Sequence, residues 1–154
     1  MYKYTTADIE SNFTDDIKRD IVTQNLSYAD IDGIADLIGY NITIFRRKTV
    51  SVVAAISIMD IDNSYLLNIS DIVLKSINFP IGIGDSFSDM INAFGYNYKV
   101  DDVLIDTFRY MYTVIGKYWL SVSISNDKVV GIEIIFDDEM IKDVIEVRYK
   151  YCKI

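Results

Sequence analysis

Apolar residues recur along this chain with two periods, and the changes between them divide it into helical and extended stretches. Over the first 38 residues the spacing is helical. Thr14 precedes Asp15-Asp16-Ile17-Lys18-Arg19-Asp20-Ile21-Val22, which puts acids in the first turn where the helix dipole favours them. Ser27 is placed to cap a second helix running to Ile38. Ile31, Ile34, Leu37 and Ile38 follow an i, i+3, i+6, i+7 stripe, and Gly39 supplies a stop. Asp30, Asp32 and Asp36 fall off that stripe, towards solvent.

At Tyr40 the period becomes two. Ile42 and Ile44 alternate with Asn41 and Thr43, and Val50, Val52, Ala54, Ile56 and Ile58 share one strand face. Arg46-Arg47-Lys48 between them reads as a hairpin tip. A third strand is expected within Tyr65 to Lys75. Phe79-Pro80-Ile81-Gly82-Ile83-Gly84 then turns into a short helix, capped by Asp85 or Ser86 and ended by Gly95. Its buried stripe is Phe87, Met90, Ile91 and Phe94. Beyond it a meander is predicted. Phe108, Tyr110 and Tyr112 share a face, and Gly116-Lys117 turns the chain. Leu120, Val122 and Ile124 alternate with Ser121, Ser123 and Ser125, Asn126-Asp127 turns it again, and Val130, Ile132, Ile134 and Phe136 follow. A last strand is read from Ile145, Val147, Tyr149 and Tyr151. Trp119 falls on the serine side of its strand, where a covering helix is the favoured neighbour. The pattern as a whole predicts an α+β domain over residues 1–154, with N-terminal helices, an antiparallel β-sheet with a meander in the second half, and one short helix packed on it.

Composition supports a folded domain, since 51% of the 154 residues are hydrophobic and the only proline is Pro80. Charge narrows the partners. The formal net charge is −8, and both ends of the chain are acidic, so direct binding to a phosphate backbone is disfavoured. The opening residues lack the apolar core of a signal peptide. The longest uncharged apolar stretch, Thr49 to Met59, is too short to span a bilayer, and the single Cys152 makes no internal disulfide. A cytoplasmic protein with no membrane association is the expectation.

The chain has no histidine. That removes Ser-His-Asp and Cys-His arrangements, imidazole ligands for zinc and the commonest neutral-pH base. The remaining motifs are weak. Gly82-Ile-Gly84 has Phe87 where a dinucleotide fingerprint needs its third glycine, and no Lys or Arg lies between Lys75 and Lys99 to meet a phosphate. Asp60-Ile-Asp62-Asn-Ser64 outlines a calcium loop but has Tyr65 at the obligatory glycine. Arg46-Arg47-Lys48 suits edge protection better than a nucleic-acid site. No cofactor, metal site or catalytic residue is therefore expected. Asp101, Asp102 and Asp106, with Asp137, Asp138 and Glu139, could be read as carboxylate pairs for glycoside chemistry or as solvated turns. They matter more as charge. With Tyr98 and Tyr110 as aromatic anchors, they form a candidate protein-binding surface.

The segment Ile83-Gly84-Asp85-Ser86-Phe87-Ser88-Asp89-Met90-Ile91-Asn92-Ala93-Phe94-Gly95, the Tyr-rich strands after it and Val129-Val130-Gly131-Ile132-Glu133 resemble, in a short acidic domain, the immunity proteins of bacterial toxin–immunity systems, particularly the contact-dependent growth-inhibition type. The resemblance implies a non-enzymatic cytoplasmic protein that binds a cognate toxin domain, often a nuclease and expected to be basic, and occludes its active site. It carries over no binding residue, because these families share no fixed binding motif. A small carboxylate-dependent enzyme and a self-associating structural module are the alternatives, and the sequence leaves the oligomeric state open.

Overall fold

The computed structural model describes residues 4–22, 26–31, 41–47 and 52–148. Helix α1 (Thr6–Glu10) is started by a reciprocal cap: Thr5 Oγ1 accepts from the Asp8 amide, and Asp8 accepts from the Thr5 amide. Helix α2 (Asp15–Val22) begins at the expected Thr14, whose hydroxyl accepts from the Ile17 amide. Both helices bury apolar side chains, Ile9 from α1 and Ile17 from α2, with Phe13 buried between them.

Seven strands follow in one sheet: β1 (Leu26–Ile31), β2 (Asn41–Arg47), β3 (Val53–Met59), β4 (Lys99–Leu104), β5 (Thr107–Val114), β6 (Tyr118–Ser125) and β7 (Lys128–Ile135). Their order across the sheet is β1-β2-β3-β7-β6-β5-β4. Every pairing is antiparallel except β1 with β2, which is parallel. The expected meander is β5-β6-β7, and β4 extends it by one strand. Helices and a mainly antiparallel sheet make this an α+β fold.

The sheet has two unequal coats. Ile42, Ile44, Ile56, Ile58, Leu120, Val122, Ile132 and Ile134 pack with residues of α1, α2, α3 (Ser64–Ser76) and α4 (Phe87–Phe94) in the larger core. Residues of opposite parity, among them Phe45, Ala55, Trp119 and Ile135, pack with Met140, Ile141 and Val144 of α5 (Asp138–Arg148). Trp119 is fully buried there, beneath the helix its position called for, and the Arg148 guanidinium lies over its ring at 5.4 Å.

Three expected elements come out differently. Residues 26–31 form β1 where a helix from Ser27 was read; Leu26 and Ile31 are buried, the Tyr28 hydroxyl donates to Glu10, and the parallel ladder to β2 overrides a weak helical stripe. The rest of that stripe, Ile34, Leu37 and Ile38 with Gly39, lies outside the described residues. Residues 64–76 form α3 and no strand. Asn63 caps it by accepting from the Leu66 amide, and Leu66, Ile69, Ser70, Val73 and Leu74 are buried at helical spacing. The last strand is replaced by α5, in which Ile145 packs against the second core. Tyr149, Tyr151 and Cys152 lie outside the described residues. Arg46 and Arg47 are the final residues of β2, an interior strand, and Lys48 and Val50 are outside the described residues. The helix at 87–94 is as expected: Ser86 and Asp89 form its reciprocal cap, and Gly95 ends it at φ +81° and ψ −164°, a conformation essentially reserved for glycine.

Candidate binding surface

The sheet register places the two acidic groups at opposite ends of the molecule. Asp106 precedes Thr107, which pairs with Ser125, which in turn pairs with Lys128 at the start of β7. Asp137 lies just beyond Ile135, at the other end of the same strand. A strand length, about 25 Å, therefore separates them, and they do not form one surface.

At the Asp137 end the carboxylates belong to the architecture. Asp137 accepts from Arg47 Nε at 2.7 Å and Nη2 at 2.5 Å, a two-point contact between the end of β2 and the start of α5. Asp137 also accepts from the Met140 amide at 3.0 Å, so it caps α5 as well. The Arg47 hydrogen bond, joined by these amides, holds the Asp137 carboxyl below the usual carboxylate range against the opposing effect of burial. Glu139 lies 3.5 Å from Arg47 with its side chain in solvent, and Asp138 is exposed. Further along α5, Arg148 donates to Glu133 on β7 at 2.8 Å, with both side chains mostly buried.

At the other end, Asp101 and Arg109 are cross-strand partners joined at 2.6 Å, and Asp102 faces Phe108 in the register of β4 and β5. The connecting turn puts Asp106 in the left-handed region, at φ +65°, which a short polar side chain tolerates. Asp106 is exposed beside Ile105, which is 92% exposed, and Phe108 is 42% exposed. Two large apolar side chains and a carboxylate thus share one hairpin end.

Tyr98 and Tyr110 sit next to this hairpin but are engaged. The Tyr110 ring meets Tyr98 edge-on at 4.9 Å and Phe87 at 5.2 Å. Tyr98 continues to Tyr112, Tyr112 to Phe94, and Phe94 to Phe79, with centroids 5.5–5.8 Å apart. This chain of rings fastens α4 to β5. Burial pushes the Tyr110 and Tyr112 hydroxyls up in pKa, and Tyr112 donates to the Gly95 carbonyl at 2.9 Å. The Tyr112 hydroxyl thus serves the fold, while Tyr98 and Tyr110 are engaged through their rings.

The alternation predicts one strand face for Phe108, Tyr110 and Tyr112; of the three, Phe108 is exposed while Tyr112 is buried. Ile105 drew no attention in the sequence, although an isoleucine between Asp102 and Asp106 in a turn is itself the signal. The Gly82-Ile-Gly84 segment lies along the start of β7, with the Gly84 amide donating to Val129 and the Val129 amide to Asp85, both at 2.8 Å. Those amides are thereby taken up by the sheet. Among the described residues no group of carboxylates or thiols is arranged to hold a metal ion, and no helix is long and apolar enough to cross a membrane. No protein-family model matches the sequence, and no curated protein or solved structure matches it either.

Proposed function

We propose that this chain is a cytoplasmic immunity protein that binds a cognate bacterial toxin domain and neutralises it without chemistry of its own. The observation that carries the reading is the β4–β5 hairpin end. It exposes Ile105 and Phe108 next to Asp106 in a protein of net charge −8. Water gains nothing from exposed isoleucine and phenylalanine side chains, whereas a partner surface that covers them gains apolar burial. The surrounding carboxylates give direction to the encounter. A nuclease toxin needs a positive cleft to hold nucleic acid, and an acidic protein is drawn to that cleft and excludes the substrate.

In this reading the contact is centred on Ile105, Asp106 and Phe108, with Asp101 at its margin. Asp138 and Glu139 are too distant to belong to the same small patch. The test is co-production with the toxin encoded beside this chain, followed by binding of the purified pair at two salt concentrations. Wild type is expected to protect cells and to bind more slowly at high salt. The combined Ile105→Ser, Asp106→Lys, Phe108→Ser variant should stay folded by circular dichroism and lose protection. A folded variant with unchanged protection moves the interface elsewhere. Failure of the wild type to protect removes the immunity reading.

A further inference from the structure

A groove of about 290 Å³ lies between α3 and the Phe79–Asp85 loop. Its lining is mixed: Leu67 and Leu74 on the helix side and Pro80 and Ile83 on the loop side stand among charged side chains. Two carboxylates line it. Asp85 is already half-used, since it accepts from the Gly82 amide at 2.8 Å. Asp71 differs: it is partly buried, and among the described residues no hydrogen bond or ion pair engages it.

Lys75, one turn along α3, also lines the groove and is exposed, yet no ion pair joins it to Asp71. The loop closes tightly over the Asp71 carboxylate. A Cβ added at Gly82 would stand 3.1 Å from Asp71 Oδ1, so any larger residue there would push that oxygen aside by a few tenths of an ångström. The groove thus combines apolar side chains, an unengaged carboxylate beside them and a net negative lining of Asp71 and Asp85 against Lys75.

We infer that this groove takes the side chain of an arginine presented by a partner protein. The aliphatic stem would lie between Leu67, Leu74, Pro80 and Ile83, and the guanidinium would bond Asp71. Arginine suits the site better than lysine because its planar head is weakly hydrated and can lie against apolar side chains while donating to a carboxylate. The groove is separate from the hairpin end, and the inference stands whether or not that end binds a toxin. The two are nonetheless within reach of one partner: Gly84 is bonded to Val129, which is registered with Ile124, which is registered with Phe108.

The experiment uses Nα-acetyl-arginine N-methylamide as the probe, titrated into isotopically labelled protein and followed by amide NMR shifts. Saturable shifts are expected at Leu67, Asp71, Gly82 and Ile83. The uncharged citrulline analogue should bind about fivefold more weakly, the contribution of a partly shielded ion pair. Asp71→Asn, which keeps the shape, should remove that difference. Gly82→Ala should weaken arginine binding by crowding the carboxylate. Absence of saturable shifts in the wild type, or equal binding of arginine and citrulline analogues, overturns the inference. Shifts confined to the Asp101–Asp106 hairpin also overturn it, by placing arginine recognition at the other surface.

Discussion

The two acidic ends of this protein look alike in sequence and do different work. At one end Asp137 is drawn into the structure by Arg47 and by the first amides of α5. At the other, Asp106 stands exposed in a turn, between Ile105 and Phe108. The difference follows from what each acid precedes. A carboxylate just ahead of a helix meets unsatisfied N–H groups that it can serve, whereas one in a two-strand turn meets a closed ladder. Acidic clusters therefore divide by local structure before any question of partners arises.

Removing Asp137 tests this division most severely. Asp137→Ala strips the cap of α5 and leaves Arg47 without its two-point partner, and should cost roughly 2 kcal/mol in urea unfolding. A loss within the noise of the measurement would mean that α5 docks without that end. A subtler comparison uses pH. The native Asp137 carboxyl is depressed, so its charged form stabilises the fold above the ordinary aspartate value of about 4, and that contribution disappears as pH falls through the lower native value. The stability gap between wild type and Asp137→Asn should accordingly shrink on acidification. A gap that stays constant from neutral to strongly acidic pH would assign the effect to shape alone.

Smaller effects are expected on the exposed carboxylates. Glu139→Ala removes a long, solvent-facing contact to Arg47 and should change stability by about 0.5 kcal/mol or less. Asp106→Lys should leave stability unchanged within about 0.5 kcal/mol, while slowing association with a basic partner. If Asp106→Lys proved as destabilising as Asp137→Ala, the two ends would not differ in the way described.

Most of the sheet and the short helix were legible because each carries its own signals. The 87–94 helix has a cap, an apolar stripe and a terminal glycine in one run, and the serines of β6 mark its alternation. Where the reading went astray, a competing signal lay nearby. In α3 the β-branched residues Ile69, Ile72 and Val73 suggested a strand, and Ser70 at a buried position broke the apolar stripe, although Asn63 and Leu66 marked a helix start. In α5 the alternation of Ile145 and Val147 concealed the period that Met140, Ile141 and Val144 follow. Asp138 and Glu139 have the composition of a solvated turn, yet they are first-turn acids of α5. β1 owes its form to its parallel ladder with β2, a pairing that the pattern within residues 26–31 does not record. For the candidate surface, the sequence exposed the carboxylates but not their separation, because that depends on strand order. Nor could it show that Tyr98 and Tyr110 spend their rings on holding α4.

The two coats of the sheet also divide the chromophores. The only tryptophan, Trp119, lies under α5, with Arg148 above it. On the opposite coat, Tyr98, Tyr110 and Tyr112 are fixed edge to edge within 5.8 Å. Rigid, asymmetric aromatic arrays give near-ultraviolet dichroism, which vanishes when packing loosens. Emission from the indole will thus follow the seating of α5, while the part of the tyrosine dichroism that arises from this cluster follows the seating of α4. The molecule carries two native optical reporters, one for each side, and recording both during unfolding would reveal whether its layers part together or in turn.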